Sequence, residues 1–168
     1  MIRRIGFDDL DPALREVLGA RVERLGYLGE FFQCAAHQPE ALVSLNALTE
    51  ALRGALPDDA AEIVALTVAT VTGNDYERHQ HERLSLNLGF SEQWIRSVVA
   101  LDEGGVVQQA VLDLLEDRGR GTDVDALAEE KGDAFAVAVL LLTGRYLMHS
   151  TVVNALGLAP PVPSPLAT

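Results

Sequence analysis

The chain has 168 residues, 48% of them hydrophobic, with 25 acidic against 13 basic side chains. That is the size of one globular domain with a core to bury, and a formal charge of −12 repels nucleic-acid phosphates and anionic lipid headgroups, so neither is an expected partner. Cys34 is the only cysteine, which excludes an internal disulfide and a cysteine-based metal cluster.

In chain order, the first residues carry Arg3 and Arg4 and then turn acidic at Asp8. No apolar stretch of a signal peptide follows, so a cytoplasmic protein is expected. Asp11-Pro12 opens a helix as cap and first residue, and Leu14, Val17, Leu18 and Val22 recur at helical spacing. A second apolar stretch runs over 25–36 and places Cys34 among Phe31, Phe32, Ala35 and Ala36, the setting of a packed, unreactive thiol. After Pro39, Leu42, Leu45, Leu48 and Leu52 mark a helix that Gly54 closes. Leu56-Pro57-Asp58-Asp59 punctuates the chain, and residues 60–72 are apolar nearly all round. Such a helix belongs at the centre of a fold.

Beyond Thr72-Gly73 the predicted partner helix covers 76–88 and stops at Gly89; Ser91 then caps a helix bearing Trp94, Ile95, Val98 and Val99. Gly104-Gly105 breaks it, and Val106, Val107, Val111, Leu114 and Leu115 form the next helical face. Residues 118–121 read as an exposed turn and 122–131 as a short, solvated acidic helix. The last helix is expected over 133–156. Its uninterrupted apolar run, 134–142, is shorter than the roughly 20 residues that span a bilayer, so it reads as buried and no membrane partner is expected. Pro160, Pro161, Pro163 and Pro165 make the tail an extended strap. No segment alternates at a period of two, so the chain reads as all-α, a single domain over 1–168. Within it lie N-terminal helices (1–56), a core motif (57–101), C-terminal helices (102–157) and the Pro-rich tail (158–168). Thr72-Gly73, Tyr76 and His79 find an echo in Thr143-Gly144, Tyr146 and His149; the tyrosine-to-histidine spacing matches and the glycine-to-tyrosine gap does not, so chance similarity of two apolar helices stands beside an ancient duplication.

Chemistry concentrates between Glu62 and His81. Glu77 and His81 are four apart and share a helix face. A carboxylate beside an imidazole orients the ring and favours its charged form, an arrangement suited to acid–base work near neutral pH. Glu62 shares a face with Leu66 and Ala69, so burial would raise its pKa and make it a second proton carrier. Structural alternatives stand beside these readings. Asp59-x-x-Glu62 and Asn74-x-x-Glu77 both have the form of a capping box. In a hairpin, Glu62 begins one helix and Glu77 the other, so their meeting requires an oblique crossing or a second chain. His79 lies about 160° around the helix from His81 and is expected at a surface. Nothing supplies a third or fourth ligand, so no metal site is expected.

These residues resemble the carboxymuconolactone decarboxylase and alkylhydroperoxidase D-like family: a Glu on an apolar helix, a Gly-containing turn, a tyrosine, and a histidine on the next helix, followed by a Gly and an acidic helix start. Glu62, Gly73, Tyr76, His81, Gly89 and Glu92 stand in those places. The resemblance implies an alkylhydroperoxidase D-like helical fold built around a central helical hairpin. It also implies a homo-oligomer, by preference a trimer, with hexamer or dimer as alternatives. The peroxidase branch carries two cysteines three apart before the histidine; here Asn74 and Glu77 occupy those positions. Neither replaces a sulfur nucleophile. The expectation is therefore a small-molecule enzyme of lyase or decarboxylase type without a cofactor. His81 would carry the proton, Glu77 orient it, Glu62 act as second acid or base, and Tyr76 and Asn74 contact substrate. Arg78 and Arg145 are candidate partners for a substrate carboxylate. The alternatives are a noncatalytic oligomeric binding or scaffold protein, an antioxidant lineage that has lost its redox cysteines, and a peroxidase acting through Cys34.

Overall fold

The computed structural model describes residues 2–102 and 104–167; Met1, Glu103 and Thr168 of the single domain expected over 1–168 lie outside the described residues. Among the described residues there are nine α-helices, one 3-10 turn and no strand, as the all-α reading expects. The helices are α1 (Pro12–Leu25), α2 (Glu30–Ala35), α3 (Pro39–Gly54), α4 (Asp58–Val71), α5 (Asp75–Asn87), α6 (Glu92–Val99), α7 (Gly105–Glu116), α8 (Val124–Lys131) and α9 (Asp133–Leu156). The chain divides into two compact units, Met1–Ala51 and Leu52–Thr168.

In the first unit, Asp11 caps α1 by accepting from the Ala13 N–H, with Pro12 at the first helical position, and Leu14 and Leu18 are buried. The incoming segment is tied to α2: the Ile5 N–H donates to the Gln33 carbonyl at 3.1 Å, and Arg4 pairs with Glu30. Cys34 is buried on α2, whose Phe31 and Phe32 rings meet edge to face, so the thiol is packed as expected.

In the second unit α4 is the axis. Every residue from Ala60 to Ala69 is buried, and the helix packs against α5, α6, α7 and α9. A helix apolar on all sides gains most by being surrounded. Its core partners include Ile95 and Val98 of α6, Val107 and Val111 of α7, and Val139 and Leu142 of α9. Gly73, at φ +61°, takes the left-handed conformation that reverses the chain from α4 into α5. Together α4 and α5 form the expected hairpin.

A buried amide fixes α4 to the next two helices. The Gln108 side chain on α7 donates to Thr67 Oγ1 of α4 at 3.1 Å and to the Val98 carbonyl of α6 at 2.9 Å, and accepts from the Gly104 N–H. A side chain at Gly104 would put its Cβ only 2.1 Å from the Cβ of Gln108, so glycine is required there for close approach.

Two outer elements differ from the sequence expectation or refine it. Helix α8 starts at Val124, capped by Asp123, and is not merely a solvated acidic helix: Leu127 is fully buried and joins the core. The acidic residues take the outer face because a single leucine suffices to anchor two turns. The tail is a strap that crosses α5 and α6. The Val162 carbonyl accepts from His79 Nδ1, Ser164 donates to Glu82, and the Leu166 carbonyl accepts from Arg96. Helix α9 is long and apolar enough to cross a membrane, but 56% of its apolar window is buried inside the protein.

Candidate functional site

The site forms where α4, α5, α9 and the last turn of α3 meet. Glu62 is the acidic residue in the buried stretch of α4 and is wholly inaccessible. An isolated carboxylate there would cost several kcal/mol, so its partners decide whether it stays charged. It has three. Arg53 Nη1 at the end of α3 donates to Oε1 at 2.9 Å, while His81 Nδ1 and Ser85 Oγ donate to Oε2 at 2.8 and 3.1 Å. Glu77, His81 and Ser85 lie at successive intervals of four on α5 and so line one face of it.

The His81 ring bridges two carboxylates. Its Nδ1 faces Glu62, and its Nε2 faces Glu77 Oε2 at 3.3 Å. Glu77 Oε1 in turn accepts from His149 Nε2 of α9 at 3.2 Å. The result is a continuous chain of alternating basic and acidic side chains, Arg53–Glu62–His81–Glu77–His149. The Tyr146 ring lies edge to face with His81 at 5.2 Å between centroids, and its hydroxyl accepts from Arg53 at 3.5 Å. Arg145 stacks over the Tyr146 ring at 4.5 Å.

The electrostatics follow from this placement. For His81, burial disfavours the charged ring, but Tyr146, Glu62 and then Glu77 outweigh it and raise the pKa well above 6.5. Both ring nitrogens therefore carry protons at neutral pH. For Glu62, burial would raise the pKa, yet His81 and Arg53 lower it below 4.5. The same contest at Glu77 is won by His149, His81 and Arg145, which hold its carboxyl well below the usual carboxylate range. Burial alone would have made Glu62 a proton carrier; His81 and Arg53 reverse that sign.

Of the predicted site residues, Glu62, Glu77 and His81 converge, and within one chain. The apparent obstacle was geometric: in a hairpin Glu62 and Glu77 start opposite ends. It is resolved because the carboxylates do not need to touch; Glu62 lies opposite His81 and Ser85, and the imidazole spans the remaining turn to Glu77. Neither capping box forms as drawn. Asp59 accepts from the neighbouring Ala60 N–H and leaves Glu62 free to face inward. Asn74 does cap α5, accepting from the Glu77 N–H at 3.2 Å, but the Glu77 side chain turns away to the histidines. The Asn74 amide also donates to Ser150 Oγ at 2.9 Å. With both ends engaged and the residue 1% exposed, Asn74 is a hinge clamp between α5 and α9. Tyr76 is buried beside His149 at 6.1 Å between ring centroids. Arg78 is committed to Asp75 and Glu82, whereas Arg145 stays with the site. His79 is held by the strap.

Sequence reasoning missed Arg53, Ser85, Tyr146 and His149 as members. One signal was present: the echo of Tyr76–His79 in Tyr146–His149 placed a second tyrosine and histidine one turn apart on α9. In the fold only half of the echo meets: Tyr76 lies beside His149, while Tyr146 meets His81 and not His79.

Comparison with known proteins agrees with this architecture. Residues 39–117 match the sequence model of the carboxymuconolactone decarboxylase family, a stretch containing Arg53, Glu62, Glu77, His81 and Ser85. No curated protein sequence matches the chain. A solved structure from Agrobacterium tumefaciens, of a protein of unknown function proposed as the antioxidant defence protein AhpD, superposes with a TM-score of 0.65 at 20% identity. The match covers 77% of this chain and 96% of that one, and at that identity it shows a shared AhpD-like helical fold. Residues 39–117 thus carry the sequence pattern of the carboxymuconolactone decarboxylase family, and the chain has an AhpD-like helical fold without the cysteine pair.

Proposed function

We propose that the protein is a small-molecule enzyme working by acid–base chemistry at His81, of lyase or decarboxylase type, rather than a thiol peroxidase. The observation that carries this reading is the doubly held His81 ring. Glu62, at 2.8 Å from Nδ1, fixes the ring orientation and stabilises its charge. Nε2, at the longer 3.3 Å from Glu77, is then the nitrogen that gives a proton to a substrate atom developing negative charge and recovers it afterwards. The geometry thus supports Glu62 as orienter and Glu77 as the group next to the working nitrogen, the reverse of the sequence expectation. Tyr146 and Arg53 line the same ring and supply further donors. Thiol chemistry has no support in the side chains: Asn74 and Glu77 replace the sulfurs, and Cys34 is a single buried thiol.

A noncatalytic oligomeric scaffold is the second reading. It is favoured by one observation: every carboxylate oxygen of Glu62 and Glu77 already has a donor in the resting structure. The two readings separate in one experiment. The purified protein and its His81→Gln variant are incubated with a panel of small carboxylated lactones and β-keto acids, and CO2 release and product masses are followed. Turnover by the parent that is lost in the variant supports the enzyme. Equal behaviour of the two across substrates that are turned over would sink it.

A further inference from the structure

Helix α9 turns one face toward the start of α5, where Glu77 stands beside the working nitrogen of His81. Arg145, Tyr146, His149 and Ser150 recur on that face at intervals of three and four, so they project together, and all four are buried. Ser150 accepts from the Asn74 amide at the cap of α5 at 2.9 Å, and the Tyr76 ring lies beside His149. His149, next to this clamp in the chain, is thereby brought to Glu77, with its Nε2 3.2 Å from Oε1. A carboxylate only accepts, so this nitrogen carries a proton where it faces Glu77.

One carboxylate is thus shared by two imidazoles. Glu77 faces Nε2 of His149 at 3.2 Å and Nε2 of His81 at 3.3 Å, whereas Glu62 holds Nδ1 of the same His81 ring at 2.8 Å. A buried carboxylate with a single imidazole to serve would close on it, since charge-assisted hydrogen bonds shorten to about 2.7–2.9 Å. Burial would neutralise Glu77, and His149, then His81 and Arg145, keep it ionised instead. With the charge divided in this way, Nε2 of His81 is left with the looser of its two bonds, on the side of the ring where a substrate atom would take the proton. We infer that His149 is a positioning residue for His81: by engaging Oε1 of Glu77 it keeps Oε2 aimed at Nε2 and limits how firmly that carboxylate retains the proton. The other groups that face the ring are anchored without His149. Glu62 is backed by Arg53 on the Nδ1 side, and Tyr146 lies against the ring edge. The inference deepens the acid–base reading, on which its catalytic meaning rests.

Nuclear magnetic resonance of the His81 ring in the full chain tests it without a substrate. The ring signals are assigned by their loss in His81→Gln and titrated from neutral pH upward. His149→Phe removes the donor, and His149→Asn carries an amide too short to reach Oε1. In both, Glu77 closes on Nε2, so the titration midpoint of His81 rises by about one unit and its Nε2 proton moves downfield. His149→Gln, whose amide takes the place of Nε2, restores most of the parental midpoint. Should His149→Phe fail to fold, His149→Asn decides alone. An unmoved or lowered midpoint in His149→Asn, or a rise in His149→Gln as large as in the others, makes His149 a packing residue and overturns the inference. The two readings also fail separately: the expected shifts in a protein that turns over nothing count against the enzyme, whereas turnover lost in His81→Gln with no shift in His149→Asn counts against the positioning role.

Discussion

Nδ1 of His81 on α5 lies 2.8 Å from Oε2 of Glu62 on α4, with the carboxylate fully buried and its other oxygen held by Arg53 at 2.9 Å. Glu62 therefore balances two cations in a place water does not reach. Glu62→Gln keeps the shape but removes the charge, leaving Arg53 and His81 facing an amide. The expected cost is about 3 kcal/mol in urea unfolding, since breaking one side of a buried pair strands the other. Removing Arg53 as well should cost less than the sum of the two single changes, because the double variant no longer strands that cation. Strict additivity in that cycle would mean the two groups do not share one electrostatic unit.

The pH dependence follows from the signs. Glu62 and Glu77 have pKa values lowered from 4.5, so their stabilisation is present above about pH 4.5 and is lost as pH falls through the lower folded values. His81 is raised well above 6.5, so its share is fully present below about pH 6.5 and is lost only as pH rises through the raised value. The Glu62–His81 attraction contributes to both shifts and counts once. The stability difference between the parent and His81→Gln should accordingly stay flat from about pH 5 to 6.5 and shrink progressively above that, toward the raised folded value. A decline centred near pH 6.5 in denaturant melts would show an imidazole titrating as if exposed.

The helical frame was legible because each α4 position from 60 to 69 is apolar or small except Glu62 and Thr67, and caps at Asp11, Asn74 and Ser91 stand at the observed helix starts. Glu62, Glu77 and His81 were legible as types at suggestive spacing. Their contact was not, since helical periodicity fixes the face of one helix but not the axial offset between two. Arg53 and His149 lay further out of reach: nothing local distinguishes an arginine ending α3 from a surface one, and His149 acquires its role only when α9, packed on α4, brings it to Glu77 near the start of α5. The acidity of Glu62 was read with the wrong sign for the same reason. Burial is visible in sequence, whereas the donors that outweigh it are tertiary.

Gln108 should behave as a structural keystone. Its amide serves Thr67, the Val98 carbonyl and the Gly104 N–H in a fully packed corner. Gln108→Leu strands all three and is expected to destabilise by about 3 kcal/mol at roughly 1 kcal/mol for each buried group left unpaired. Gly104→Ala should cost about 1–3 kcal/mol by overpacking against the Gln108 Cβ. Thermal unfolding of both variants, with the His81 site untouched, would give lower midpoints but parental behaviour at the acid–base site. An unchanged midpoint for Gly104→Ala would show that the loop before α7 yields easily.

The Pro-rich strap provides the last test, because its anchors are polar and specific rather than a broad apolar contact. Ser164 donates to Glu82, a carboxylate 1% exposed that also accepts from Arg78 at 2.9 Å. Removing the hydroxyl leaves Glu82 with Arg78 as partner, so Ser164→Ala should cost about 1 kcal/mol. Glu82→Gln should cost more, because Arg78 then keeps the exposed Asp75 as its remaining carboxylate. Truncation after Leu158 removes the anchors at Val162, Ser164 and Leu166 together. It should speed amide exchange along α5 near 78–82 while the Glu62–His81 contact, made from another face of that helix, keeps its parental pH profile. Loss of His81 behaviour on truncation would show that the strap holds α5 in register with α4, and not only its outer face.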